Sequence, residues 1–337
     1  MSVLDLLIVG AGPSGLATAI SARKAGLSCE IVEKGVLTNS IFHFPVNMVF
    51  FTTPELLEIG GVPLVSPFEK PTRLEALRYY RRVAEMFDLP ITFGETVLSL
   101  TTDAATRELV VRTRGTKGEQ DRRARAVVFA VGYYDHPNHL NIPGEDLPHV
   151  SHYYNEAHSS YRQRVVIVGG KNSAAEAALE LHRSGAKVTM VHRRATLGAS
   201  IKYWVKPDIE NRIAEGSIAA RFESKVVEIT PDAVVIEHRG RKESLPADRV
   251  FLMTGYHADF DLLKACGLEI DPATNVPMHD ASTLESSSVS NVFFAGGVLA
   301  GKDTAPIFIE NGRFHGERII RVLTERRATS DERRAMN

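Results

Sequence analysis

Twice along this chain an apolar, strand-length run ends in a glycine-rich turn and gives way to a helix of small residues, and this repeat leaves few folds open. The first copy is Leu4 to Val9, then Gly10-Ala11-Gly12-Pro13-Ser14-Gly15, then Leu16 to Ala25. A second strand, Ser28 to Val32, follows and ends in Glu33. The second copy is Arg164 to Val168, then Gly169-Gly170-Lys171-Asn172-Ser173-Ala174, with a helix from Asn172 to Arg183 and the strand Lys187 to Val191. Strand, glycine turn, helix and parallel strand is the order of a dinucleotide-binding unit. The fold class is therefore α/β, with two Rossmann-like dinucleotide-binding domains.

Each turn implies its own chemistry. Gly10 permits the tight turn, Gly12 lets backbone amides approach a pyrophosphate, and Gly15 allows close packing, while the helix start at Pro13 and Ser14 supplies partial positive charge. Glu33, with Lys34 beside it, is placed to accept hydrogen bonds from a ribose. In the second copy Lys171 takes the slot where a second glycine would admit phosphate. There His192-Arg193-Arg194 closes the next strand, where an NAD site would carry an acid for the ribose 2′-hydroxyl. Two guanidinium groups favour a 2′-phosphate, hence NADPH. One charge-assisted contact of about 1.5–3 kcal/mol would set that preference at roughly 10- to 150-fold.

The rest of the chain connects these units. Thr72 and Glu75 read as a capping box that starts a helix from Arg73 to Phe87. Segments Thr96 to Leu100 and Glu108 to Thr113 read as a β-meander, and Arg125 to Val131 as a buried strand ending at Gly132. Pro137, Pro143, Gly144 and Pro148 mark an irregular crossover. Strands near Val226 to Ile229, Val234 to Glu237 and Arg249 to Met253 complete the second unit and end at Gly255. Gly132 and Gly255 read as hinges beside bound nucleotide. A last strand, Asn291 to Ala295, runs into Gly296-Gly297 and a long closing helix from Thr304 through Ile307, Phe308 and Ile319. The expected domains are 1–148 with 257–327, an inserted 149–256, and a frayed tail at 328–337.

Composition excludes other classes. At 337 residues, 44% hydrophobic and 24% charged, the chain suits two globular domains. Forty basic against forty-one acidic residues give a net charge of -1, so no global field would gather nucleic acid or anionic lipid. The start Met1-Ser2-Val3-Leu4-Asp5 lacks a secretory pattern, and no apolar run is long enough to span a bilayer. Cys29 and Cys266 read as packing residues in a reducing compartment, the cytoplasm by default. Without a Cys-x-x-Cys the chain has no internal dithiol to shuttle electrons. His136 with His139, and His149 with His152, lack accompanying ligands, so no metal site is expected. There is no serine nucleophile elbow.

Taken together, these residues resemble the bacillithiol-disulfide-reductase-like (YpdA) flavoproteins, within the wider thioredoxin-reductase-like fold. The likeness covers nearly the whole chain. It rests on the first glycine motif, Phe51-Thr52-Thr53 with Pro71-Thr72-Arg73, Gly169 to Ala174, Ile201-Lys202-Tyr203-Trp204 with Pro207 to Arg212, and Phe308-Ile309-Glu310-Asn311-Gly312-Arg313-Phe314-His315-Gly316. Lys171 is that family's usual residue. The resemblance implies FAD held by the first and last segments, Gly296 and Gly297 included, NADPH held by the middle one, reduction of a low-molecular-weight thiol disulfide, and a homo-oligomer, dimer or tetramer. Ser14, Tyr203, Trp204, Asn311, Arg313 and His315 are the candidates near the acceptor. One position departs: family members assigned that activity carry cysteine where this chain has Ser14. A hydroxyl cannot form a mixed disulfide, so the route must differ. A flavin monooxygenase, for which Pro143-Gly144 to Tyr153 is a partial fingerprint, and a flavoprotein reductase of a redox carrier protein stay open as alternatives, as does a nucleotide-gated binding module.

Overall fold

Leu6, Leu7 and Ile8 have no exposed surface, which places the first apolar run at the centre of a sheet covered on both faces. The computed structural model describes residues 3–303 and 306–335. In chain order the first segment forms β1 (Leu4–Val9), α1 (Pro13–Lys24), β2 (Cys29–Glu33), α2 (Asn39–Phe42), α3 (Arg73–Met86), β3 (Ile91–Phe93), β4 (Thr96–Thr102), β5 (Leu109–Gly115) and β6 (Gly118–Phe129). The sheet order is β3-β2-β1-β6-β5-β4, with β1 parallel to both neighbours. Helix α1 begins at Pro13, a residue suited to the first helical position because its missing N–H would be unpaired there anyway. β6 starts well before Arg125, because its charged first half is paired antiparallel with β5.

The chain then builds β7 (Val150–Ser151), β8 (Arg164–Val168), α4 (Asn172–Arg183), β9 (Lys187–Val191), α5 (Lys206–Ala214), β10 (Ala219–Arg221), β11 (Ser224–Ile229), β12 (Ala233–His238), β13 (Arg241–Pro246) and β14 (Arg249–Leu252). Five strands, β10-β9-β8-β14-β7, make a parallel sheet, and β11-β12-β13 an antiparallel one. Two compact units result, 1–136 with 256–337, and 137–255. The first boundary falls at His136/Pro137 instead of 148/149, because Leu140, Ile142 and Leu147 pack into the core of the second unit.

The returning segment forms α6 (Phe260–Ala265), β15 (Val292–Phe294), a 3-10 turn at Gly296–Ala300, α7 (Ile309–Gly312) and α8 (His315–Ala335). The closing helix expected from Thr304 is thus broken into α7 and α8, and Thr304 itself lies outside the described residues. Asn311 fixes where α7 begins, at Ile309 instead of Thr304: its Oδ1 accepts from the Phe308 N–H (3.0 Å) and its Nδ2 donates to the Pro306 carbonyl (2.6 Å). The expected frayed tail is also corrected. α8 continues to Ala335, in keeping with a stretch rich in the helix formers Glu, Arg and Ala, and 336–337 lie outside the described residues. No helix among the described residues is long and apolar enough to cross a membrane.

Candidate functional site

Helix α3 shows how this chain starts a helix that needs nothing else. Thr72 Oγ1 accepts from the Glu75 N–H (3.3 Å) and Glu75 Oε2 accepts from the Thr72 N–H (2.8 Å), closing a capping box. Helices α1 and α4 are left open. Neither has a side-chain cap or an acidic residue in its first turn, so the amides and the positive dipole end are available to an anion.

In the first turn the glycines divide by what demands them. Gly10 has φ +107 and an added Cβ would stand 2.6 Å from the Ala130 carbonyl oxygen, while a Cβ on Gly15 would collide with the Gly10 carbonyl. Gly12 is different: its backbone is ordinary extended chain (φ -75, ψ 175) and an added Cβ meets nothing within 4 Å. Open space over an uncapped helix start is what the pyrophosphate of FAD would fill, so these residues fit that group. Glu33 is buried, with Oε2 accepting from the Ala11 N–H (2.8 Å) and Oε1 from the Gly35 N–H (2.7 Å). The carboxylate braces the turn from the end of β2 and keeps lone pairs for a ribose. Lys34 is paired with Asp135 at 3.0 Å.

The second turn is built alike but finished differently. A Cβ on Gly169 would stand 2.6 Å from the Met253 carbonyl oxygen, and one on Gly170 would stand 2.5 Å from the His192 ring. Burial first, then Arg194 and Arg193, hold His192 below the usual histidine range, so a neutral imidazole packs on the turn. Lys171 is the exposed N-cap, Ser173 is exposed, and Ala174 is buried against Gly169. Asn172 donates to the Ser200 carbonyl (3.0 Å) and accepts from the Lys202 N–H (2.9 Å), pinning the loop ahead of α5. Arg193 and Arg194 are exposed and, among the described residues, make no ion pair. Two unengaged guanidinium groups beside an uncapped helix suit the 2′-phosphate and pyrophosphate of NADPH.

The residues expected near an acceptor fall in both units. Ser14 lies against the returning segment: a Cβ on Gly296 would collide with its Oγ, and one on Gly312 would stand 3.1 Å from it. His315 Nδ1 accepts from the Gly296 N–H (3.0 Å), and burial is the main cause that brings its pKa to about 4. It is therefore neutral at pH 7, with its proton on Nε2. Gly297 faces the Tyr133 ring, and Gly132 (φ +65) and Gly255 (φ +90) follow the ends of β6 and β14. Asn311 caps α7, and Arg313 Nη1 donates to the carbonyls of Glu55 (2.7 Å) and Glu58 (2.6 Å). Tyr203 (82% exposed) and Trp204 (44%) belong to the second unit. Cys29 and Cys266 are buried, and burial pushes both thiols up, Cys266 to about 12. Neither offers a thiolate at neutral pH.

Sequence spacing missed one group altogether. His139 and His152 converge on the buried Glu145, whereas the linear reading had paired His139 with His136 and His152 with His149.

Comparison with known proteins decides among the readings. Residues 7–296 match the family described as pyridine nucleotide-disulphide oxidoreductase. The chain belongs to this family. It is 40% identical over 322 residues to the bacilliredoxin reductase Bdr of Bacillus subtilis (strain 168), covering 95% of this chain and 97% of that protein. Two solved structures are similar along their whole length. The bacillithiol disulfide reductase Bdr (YpdA) from Bacillus cereus has TM-score 0.93 and 39% identity, covering 96% of this chain and all of that one. Its counterpart from Staphylococcus aureus has TM-score 0.90 and 37% identity, covering 97% and 99%. This pyridine nucleotide-disulphide oxidoreductase is thus an FAD- and NADPH-dependent enzyme with the thioredoxin-reductase-like fold.

Proposed function

We propose that this enzyme passes the electrons of NADPH, through FAD, to a disulfide acceptor that it never holds covalently, foremost a low-molecular-weight thiol disulfide of the bacillithiol type. The supporting observation is the 40% identity along 95% of the chain to a bacilliredoxin reductase, joined to two uncapped glycine turns of the right form. FAD and NADPH, when bound, supply the hydride chemistry.

The chain's own residues position and select. The open space over Gly12 and the start of α1 take the FAD pyrophosphate, and Glu33 takes a ribose. The start of α4 with Arg193 and Arg194 selects NADPH. Gly132, Gly255, Gly296 and Gly297 are small where backbone comes close to the nucleotides. His315, neutral at pH 7, fixes the Gly296 amide and is a positioning residue, since a group with pKa about 4 is a poor proton donor at neutral pH. Ser14 stands where the family resemblance implies a cysteine, and both cysteines present are buried. Reduction is therefore direct: the acceptor's S–S bond breaks and two thiols leave, taking two electrons and one proton from the hydride of NADPH, which becomes NADP+, and the second proton from solvent. Two free, buried cysteines fit a reducing compartment, so we place the enzyme in the cytoplasm, and the family resemblance implies a homo-oligomer.

The test is anaerobic. NADPH is mixed with the flavin-loaded protein, followed by bacillithiol disulfide, other small disulfides, an oxidised bacilliredoxin, and last air. Bleaching by NADPH and return of colour with a small disulfide support the proposal. Return only with the protein disulfide moves the acceptor to a redox carrier, and return only with air rules out disulfide reduction.

A further inference from the structure

The first stretch of the second unit carries a small ligand set that neither nucleotide turn uses. Glu145 Oε1 stands 3.3 Å from His139 Nδ1 and 3.3 Å from His152 Nε2, and one donor atom from each of the three lies within 4.8 Å of the others. We propose that His139, Glu145 and His152 form a binding site for a divalent cation of the zinc class.

The geometry is close to what such an ion requires. With ligand bonds of about 2.0–2.2 Å, donor atoms of a tetrahedral site stand ~3.3–3.6 Å apart. Two edges of the triangle already have that length. The third, between the two imidazole nitrogens, closes by rotation of His139, whose side chain is 52% exposed.

Glu145 is held still before any ion arrives. Its Oε1 accepts from the Leu140 N–H (2.8 Å), and its Oε2 accepts from the amides of Asn141 (2.6 Å) and Ile142 (3.4 Å). Gly144 (φ +83) is pressed on β11, where a Cβ would collide with the Ile229 carbonyl, and the Ile229 N–H donates to the Pro143 carbonyl (2.9 Å). A rigid carboxylate with one mobile ligand lowers the cost of ordering the site.

Two histidines and one glutamate leave a fourth position for water. An ion there would staple the start of the second unit to its edge strand β7.

Tag-free holoenzyme, cleared of metal with a chelator, is titrated with Zn2+ against a chromophoric chelator and with Co2+ by visible absorption beyond the flavin bands. Expected are one equivalent per chain and an intense, tetrahedral-type Co2+ spectrum that Zn2+ abolishes. His139→Ala should weaken Zn2+ binding at least about tenfold, while His158→Ala, at an exposed histidine outside the cluster, should not. Uptake far below one equivalent, a weak octahedral-type Co2+ spectrum, or equal affinity in His139→Ala and wild type overturns the site. The wild-type Co2+ spectrum decides the matter even if His139→Ala folds poorly.

Discussion

The two glycine turns share one plan and differ in how the charged residues around them are held. In the first, the acid proposed to face the ribose is buried and both its oxygens are tied to backbone amides, and an added Cβ on Gly12 would meet nothing within 4 Å. In the second, the N-cap is the exposed Lys171, and the groups proposed to discriminate, Arg193 and Arg194, are exposed. A site braced from within suits a cofactor that stays. One that relies on exposed, rotatable charges suits a cosubstrate that must leave after each turnover, because it gains affinity without enclosing the ligand.

The comparison can be broken first at the glycines that the protein itself demands. Gly15→Ala sets a Cβ into a carbonyl oxygen that cannot move without the turn, so it should cost more than about 4 kcal/mol or yield no folded protein, read by thermal melting. Gly12→Ala separates ligand from fold. Flavin affinity should fall at least about tenfold, while the unfolding free energy of the flavin-free protein changes by less than ~0.5 kcal/mol; parallel losses would erase the distinction between the two glycines. Replacing both Arg193 and Arg194 with Ala should cut the preference for NADPH over NADH by roughly 10- to 150-fold in kcat/KM, at unchanged flavin content. If KM for NADH rises as much as for NADPH, the arginines do not read the 2′-phosphate.

The smallest effect concerns pH. His315 has a folded pKa of about 4 against an ordinary 6.5, so the unfolded chain takes up its proton first as pH falls. Its neutral form supports the fold fully above about pH 6.5 and loses that support progressively down to about pH 4. His315→Gln retains an acceptor for the Gly296 N–H without titrating, and its unfolding midpoint should vary less across that window than the wild type's. Identical curves would mean that other groups carry the acid sensitivity.

Both turns, α3 with its capping box, and the buried strands β1, β8 and β9 were legible because each is written in neighbouring residues: an apolar run, a glycine, a hydroxyl three places before a glutamate. What escaped depends on distant partners. The length of β6 follows from β5, the start of α7 from Asn311 bonding to Pro306, and the contacts of Arg313 from carbonyls near residue 55. The histidine pairs were misjudged for the same reason. Short spacing suggested His136 with His139, whereas the fold brings His139 to His152 around a carboxylate between them.

β6 has one further consequence, for the order in which the chain is made. Its first half is paired with β5, but Val127 to Phe129 take their outer partner from Val292 to Phe294, synthesised much later. The unit that begins the chain is therefore the last to be completed, and the inserted one can close before it. A nascent or truncated chain ending short of residue 292 carries Val127, Val128 and Phe129 as an open strand edge, an apolar template for pairing with the wrong chain.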